Sequence, residues 1–378
     1  MRLTIERAAL LKALGHVQSV VERRNTIPIL SNILLSARAG ALALQATDLD
    51  MEIADEAAAE VESPGQITAP AHTLYEMVRK LPEGAEVALH FNGEDPRLQI
   101  QAGRFRSNLP VLPAGDFPSM SSDNLPATMS TEASDLIRLI DRTRFAISTE
   151  ETRYYLTGIY FHTITQDDRP ILRAVATDGH RLALAEMAAP GGALEAPGVI
   201  VPRKTINEAR RLLEDAEASV SVSISAQKVR FDFGRAVLTS KVIDGAFPDY
   251  PRVIPKDNGR LMSVDNALFA AAVDRVATIS SEKSRSVKLA VEKGKVVLTV
   301  RNMETGQAVE ELEVDYDGEP FEIGFNARYL LDVADQIGGE SAQFRFADRT
   351  SAATMLDPVL VLDPKDAGVQ YVLMPLRA

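Results

Sequence analysis

Thr177-Asp178-Gly179-His180-Arg181 brings the chain's most reactive side-chain types closest together. An Asp and a His two residues apart could act as an acid–base pair or as part of a metal ligand set. Against that, Thr47-Asp48-Leu49-Asp50 stands 130 residues earlier without a histidine, and Arg301-Asn302-Met303-Glu304 holds the corresponding place further on. A Thr-Asp pair that recurs without its His reads first as a turn. An isolated Asp/His pair needs a positioned nucleophile or a metal before it can catalyse anything. His180-Arg181 then remains as a surface feature peculiar to the second occurrence. The five histidines (16, 72, 90, 162 and 180) are scattered, so no metal cluster is expected. No phosphate-binding G-x-x-x-x-G-K-[ST], no strand-linked G-x-G-x-x-G and no H-E-x-x-H occurs. Zero Cys excludes disulfides, iron–sulfur clusters, cysteine nucleophiles and thiolate zinc sites, and is compatible with the cytoplasm. The expectation is no catalytic residue, no metal and no cofactor.

The recurrence extends well beyond the Thr-Asp pair. Leu112-Pro113-Ala114-Gly115-Asp116-Phe117-Pro118 is echoed by Val242-Ile243-Asp244-Gly245-Ala246-Phe247-Pro248, again 130 residues apart. Val201-Pro202-Arg203-Lys204 echoes Ala69-Pro70-Ala71-His72, and Phe325-Asn326-Ala327-Arg328-Tyr329 takes that place in the last third. A chain of 378 residues divides into three such units of 126. Each opens with an amphipathic helix, expected at 4–21, 131–146 and 264–279, with Ile5, Ala9, Leu10, Ala13, Leu14 and Val17 following the i, i+3, i+4 rule. A second helix follows at 71–81, 203–213 and 327–337, with Pro70 and Pro202 at two of the starts. Between them run alternating strands, clearest at Val220, Val222, Ile224 and at Val229, Phe231, Phe233, with a hairpin tip at Lys293-Gly294-Lys295. The fold class is α+β: three repeated domains, 1–125, 126–253 and 254–378, each of two helices on antiparallel sheet. Arg153-Tyr154-Tyr155-Leu156 reads as a strand start with one of its two Tyr exposed. Arg23-Arg24-Asn25 reads as a basic loop tip, and the two Phe-Pro pairs as loop anchors with the Phe buried.

Hydrophobic residues at 46% and charged residues at 25% describe an ordinary globular chain, and no segment approaches a membrane span. The first residues carry Glu6, Arg7 and Lys12, which interrupt any signal-peptide core. Six per cent aromatics and no Trp argue against a stacking surface for single-stranded nucleic acid. The net charge of −12 argues against nucleic acid altogether, until it is divided by element. The six expected helices total +2, and the remainder carries −14. Both helices of the last unit are net acidic and weaken the contrast.

Taken together, Arg24 before Thr26-Ile27-Pro28-Ile29-Leu30, Arg153-Tyr154-Tyr155-Leu156, Ala176-Thr177-Asp178-Gly179-His180-Arg181-Leu182, Val199-Ile200-Val201-Pro202-Arg203-Lys204, Phe247-Pro248-Asp249-Tyr250, Ile323-Gly324-Phe325-Asn326 and Tyr371-Val372-Leu373-Met374-Pro375-Leu376-Arg377 resemble the beta subunit of bacterial DNA polymerase III, the sliding-clamp family. The resemblance runs end to end.

It implies half of a six-domain ring: two chains joined head to tail, helices lining the hole, sheets on the rim, and duplex DNA held without sequence specificity. A ring-shaped homodimer of this kind is a processivity factor, not an enzyme, and works in the cytoplasm. It implies a clamp loader, the replicative polymerase and other proteins with clamp-binding linear motifs as partners, and no membrane. Matching positions for DNA are Arg24, Tyr154, Tyr155, Arg203 and Lys204. Those for a partner peptide are Leu156, Thr177, Gly179, His180, Arg181, Leu182, Pro248, Arg252, Val253, Asn326, Tyr329, Val372, Met374, Pro375 and Arg377, with Thr350 and Ala352 departing from the family at one edge. Those for the dimer contact are Arg104, Arg106, Ser107 and Leu109 against Thr278, Ile279, Glu304, Glu310 and Glu311. Ser107 and Thr278 stand where bulkier apolar residues are usual, which implies a weaker contact. Two other classes compete: a hydrolase built on Asp178 and His180, and a repeat scaffold that binds proteins but not DNA.

Overall fold

The computed structural model describes residues 1–120, 125–280, 285–347 and 357–376. Six α-helices are present among them: α1 (Arg7–Gln18), α2 (Ala71–Arg79), α3 (Ala133–Thr143), α4 (Arg203–Leu212), α5 (Asn266–Ala277) and α6 (Ala327–Ala334). Every paired strand is antiparallel, as the alternating pattern requires. The chain forms two compact units, residues 1–137, 190–197 and 204–242 in one and 138–189, 198–203 and 243–378 in the other.

The first unit contains a five-stranded sheet in the order Glu60–Ser63, Arg2–Glu6, Glu86–His90, Arg97–Ala102, Phe105–Pro110. Its second sheet has eight strands, running Ala127–Glu132, Ser219–Ile224, Lys228–Asp232, Val237–Lys241, Met51–Ala58, Ala41–Thr47, Asn32–Arg38, Gly65–Pro70. The second unit repeats the arrangement. Its eight-stranded sheet runs Val199–Pro202, Gly158–Gln166, Arg169–Thr177, Arg181–Ala188, Asp366–Leu373, Val359–Asp363, Ser341–Phe346, Arg260–Asp265. Its four-stranded sheet runs Gly306–Glu313, Lys295–Asn302, Ser286–Glu292, Phe321–Asn326. Each large sheet therefore joins strands of the central repeat to strands of a neighbouring repeat.

The helices bury their apolar stripes completely. Leu10, Ala13, Leu14 and Val17 of α1 are 0% exposed, and Phe269, Ala272 and Val273 repeat this in α5. The three opening helices start later than their periodicity predicts. A strand precedes each one: Arg2–Glu6, Ala127–Glu132 and Arg260–Asp265. Leu3 and Ile5 are buried on a two-residue period, and Ile5 also fits the helical spacing with Ala9, so the pattern absorbed the strand into the helix. With the observed bounds the helices carry eleven basic and six acidic side chains, a net +5, leaving −17 for the rest. The last repeat's helices are neutral, because Asp265 caps α5, accepting from the Leu268 N–H, and Asp335 lies beyond α6. Gly294, with φ +76°, forms the expected hairpin tip.

One expected strand start is a turn. Glu151–Leu156 is 3-10 helical, and the strand begins only at Gly158. Ser148 Oγ accepts from the Glu150 N–H, and the Leu156 carbonyl accepts from the Ser148 N–H, so this segment closes on itself instead of extending. Gly158 cannot be replaced cheaply: a Cβ there would lie 2.3 Å from the Val201 carbonyl oxygen across the ladder.

Candidate functional site

The two Thr-Asp sequences build the same turn. Thr47 Oγ1 donates to the Met51 carbonyl (2.9 Å) and accepts from the Leu49 N–H, while Asp48 Oδ1 accepts from the N–H groups of Asp50 and Met51. Thr177 Oγ1 donates to the Arg181 carbonyl (2.6 Å) and accepts from the Gly179 N–H, while Asp178 Oδ1 accepts from His180 and Arg181. Asn302 does the same for Glu304 and Thr305 in the last repeat. Asp178 is thus committed to backbone donors and to Arg181 (3.2 Å), and His180 lies against the Tyr329 ring (centroids 6.2 Å). The pair does not form an acid–base dyad. Gly179, with φ +88°, sits under the Arg153 guanidinium, whose Nη1 is 2.5 Å from where a Cβ would be.

Arg181 is not the surface feature its sequence position implies. It is 8% exposed and binds Asp178, Asp332 and the Phe145 carbonyl (2.7 Å). Its guanidinium also lies over the rings of Tyr329 (4.5 Å) and Phe145 (5.1 Å). It is the charged post on which this end of the unit is built.

On one side of that post lies an apolar cavity of about 370 Å³. Nine of the expected peptide residues line it: Leu156, Thr177, Gly179, Arg181, Leu182, Pro248, Val253, Val372 and Met374. Arg153, Tyr155 and Tyr250 complete the wall. Tyr155, grouped above with the DNA positions, therefore lines this cavity, because the 3-10 turn leads its ring in alongside Leu156. The floor is set by the packed cluster of Val175, Leu182, Leu184, Tyr250 and Val372. Tyr250 is oriented from behind: its hydroxyl accepts from Arg173 Nη1 (3.3 Å) and is hydrogen-bonded to His162 Nε2 (3.0 Å). Burial, with Arg173 nearby, lowers the His162 pKa to about 4, so that imidazole is neutral near pH 7.

His180, Asn326 and Tyr329 line a different cleft, also about 370 Å³, which shares only Arg181 with the first. Arg144, Arg203, Arg285 and Arg328 surround it, against Glu150 and Asp178. Arg252 points to a third cavity beside Asp257 and Pro358, and pairs with Asp249. Pro375 lines none of these; the strand end is fixed around it, Met374 N–H to the His180 carbonyl and Leu376 N–H to Gly324. Arg377, Thr350 and Ala352 lie outside the described residues.

The DNA positions divide between the two units. Arg24 is exposed in the first. Lys204, in the same unit, is engaged by Asp48 and by Glu22 (3.3 Å). Burial opposes its charge, but those carboxylates prevail and hold its pKa above the ordinary lysine value. Tyr154 (53% exposed) and Arg203 belong to the second unit.

Two of the sheet edges carry the positions expected for the dimer contact. Phe105–Pro110 ends the five-stranded sheet and carries Arg104 at its turn and Arg106; Gly306–Glu313 ends the four-stranded sheet and carries Glu310 and Glu311. Glu310 is held by Arg275 of α5 through a charge-assisted bond, which lowers its pKa, and Glu304, Thr278 and Ile279 lie at the same end. Leu109 is only 4% exposed and packs inward, whereas Phe105 (39%) and Val309 (56%) are the large apolar side chains that these edges present. Sequence reasoning passes over both, since a single large apolar residue, Phe105 between two arginines and Val309 between Ala308 and Glu310, carries no periodic pattern.

Three repeats of one architecture, with opposite charge on two of their edge strands, have the form of a clamp-type protein. Family models for the N-terminal, central and C-terminal domains of the DNA polymerase III beta subunit match residues 1–121, 130–249 and 251–377. The chain belongs to the DNA polymerase III beta subunit family and is a sliding clamp of DNA replication. It is 72% identical to a beta sliding clamp of Caulobacter vibrioides over the full length of both chains, and 38% identical to that of Escherichia coli K12. A crystal structure of the C. crescentus beta sliding clamp with PEG bound matches with a TM-score of 0.97 over 100% of this chain and 99% of that one. The sliding clamp of Bartonella birtlesii bound to griselimycin, 47% identical, matches with a TM-score of 0.95 over 100% of both.

Proposed function

We propose that two copies of the chain close head to tail into a ring around duplex DNA, with domains at 1–125, 126–253 and 254–378. The opposite charge of two of the edge strands, Phe105–Pro110 and Gly306–Glu313, supports this most directly: each has a neighbour on one side only, and antiparallel pairing with the other would supply the second. Linkage to DNA is then topological. Arg203 and Lys204 at the start of α4, with Arg24 and Tyr154 from the turns, need only contact phosphates, and base reading is unnecessary. A closed ring requires an ATP-driven loader, and the chain itself performs no reaction and works in the cytoplasm.

The apolar cavity takes a short linear segment of the replicative polymerase, of the loader or of other partners, ending in Leu or Phe. A disordered peptide that orders on binding loses entropy, so micromolar affinity and competition among partners follow. Met374 suits such a wall because its thioether adapts to different side chains. Retention on nicked circular DNA after loading, with release on linearisation, is the test. Equal retention on linear DNA, or a monomer in sedimentation at micromolar concentration, would refute the ring.

A further inference from the structure

At two places the chain pairs one repeat with the next, and the two pairings agree. In the first unit Met51–Ala58 lies against Val237–Lys241, with Met51 opposite Ser240 and Ile53 opposite Leu238. In the second, Arg181–Ala188 lies against Asp366–Leu373, with Arg181 opposite Leu373 and Ala183 opposite Tyr371. The edges Gly306–Glu313 and Phe105–Pro110 are the third set, and each has a neighbour on one side only.

Positions in this third set can be matched to the first. Helices α1 and α5 bury Leu10, Ala13, Leu14, Val17 and Phe269, Ala272, Val273, Val276 at one constant offset. Lys12 then matches Ala271, and His16 matches Arg275. His16 binds Asp55 (2.7 Å), and Arg275 binds Glu310. The strand pairs Thr47–Glu52 and Arg301–Gln307 place Glu310 where Asp55 stands. On the opposing strand the turns Gly234-Arg235 and Gly103-Arg104, both with the Gly at positive φ, place Phe105 where Ala236 stands and Ser107 where Leu238 stands.

Ala236 is 4% exposed, and Val369, its counterpart in the second pairing, is 1% exposed, but Phe105 is 39% exposed. The sizes opposite this position are reversed as well. Ala236 lines a small cavity together with the long Lys12, whereas the residue matching Lys12 is Ala271.

We propose that Phe105 anchors the contact between two copies, its ring filling the space that Ala271 leaves beside Arg275 and Glu310 of the second copy. Arg104 completes the site by approaching Glu310, as Arg235 approaches Asp55 (3.9 Å). The register sets Ala308 opposite Ser107 of the second copy. This anchor explains how an interface with Ser107 and Thr278 keeps an apolar centre, and it rests on the head-to-tail ring.

The test uses the full chain, which has no cysteine of its own. Ala308→Cys with Ser107→Cys should give a covalently closed dimer on oxidation, because directly opposed residues meet disulfide geometry. Phe105→Ala should weaken the dimer ~10-fold or more in sedimentation, as loss of a buried aromatic anchor does, while the monomer's circular dichroism is unchanged. If the dimer constant of Phe105→Ala is unchanged, or cross-linking occurs at Ala308 with Asn108→Cys instead, the anchor is refuted and the ring stands. If the unsubstituted protein is monomeric throughout, the ring itself is refuted.

Discussion

Replacing Arg181 with Met removes a charge while keeping most of the side-chain volume. The guanidinium is 8% exposed and serves Asp178, Asp332 and the Phe145 carbonyl at once. Taking it away removes the side-chain cation from Asp178, leaves Asp332 with only the looser Arg328 contact (3.8 Å), and removes a donor from the Phe145 carbonyl. Breaking a buried pair on one side costs about 3–5 kcal/mol. The two ring contacts, at 4.5 and 5.1 Å, are lost as well. For a domain with a total stability of ~5–15 kcal/mol, that is a large fraction. At ~2–4 °C per kcal/mol, the second unit should melt ~6–20 °C lower by calorimetry. Arg181→Lys should rescue little, because an ammonium cannot bridge three acceptors and lie flat on two rings. Adding Asp332→Asn to Arg181→Met should recover part of the loss, since it removes a carboxylate that would keep only the looser Arg328 contact. A melting point lowered by less than about 2 °C, or full rescue by Lys, would refute the account of Arg181 as a buried post.

Gly158→Ala should destabilise the second unit by ~1–3 kcal/mol in denaturant titration, because its Cβ meets backbone at 2.3 Å and backbone cannot step aside. The unfolded chain protonates His162 near pH 6.5, but the folded chain does so only at about pH 4, so acid favours unfolding. Stability should therefore fall between those values, by ~1–2 kcal/mol after allowing for partial exposure, and His162→Phe should flatten that part of the pH profile. Met374→Ala should weaken binding of a Leu- or Phe-ended clamp-binding peptide by ~10-fold in fluorescence anisotropy, with sedimentation unchanged. Arg24→Ala should slow salt-sensitive loading without altering melting, whereas Lys204→Ala should alter both, since Lys204 also holds Asp48 and Glu22.

Much of this architecture is legible in the residues. The repeat offsets, the paired Thr-Asp turns and the alternation at Val220–Ile224 follow from local chemistry, and local chemistry is what a sequence displays. The misreadings come from non-local competition. Ile5 satisfies a strand and a helix equally, and only pairing with Val87 decides for the strand. Tyr154-Tyr155 looks extended until Ser148 and Leu156 close the turn. Arg181 looks like a surface cation because its acceptor Asp332 lies 151 residues away. Resemblance groups the peptide positions as one set, whereas the fold places nine of them in an apolar cavity, His180, Asn326 and Tyr329 in an arginine-rich cleft beyond Arg181, and Arg252 at a third cavity.

Sheets that run from one repeat into the next have a consequence for how the chain comes apart. Strands Ser219–Ile224, Lys228–Asp232 and Val237–Lys241 of the central repeat share a ladder with Met51–Ala58, while Gly158–Gln166, Arg169–Thr177 and Arg181–Ala188 share one with Asp366–Leu373. A protease or a denaturant therefore meets two compact units, each of which takes in part of the central repeat. Fragments cut at the repeat boundaries would expose raw ladder edges and aggregate, whereas each compact unit, which combines about one and a half repeats, keeps its ladders whole.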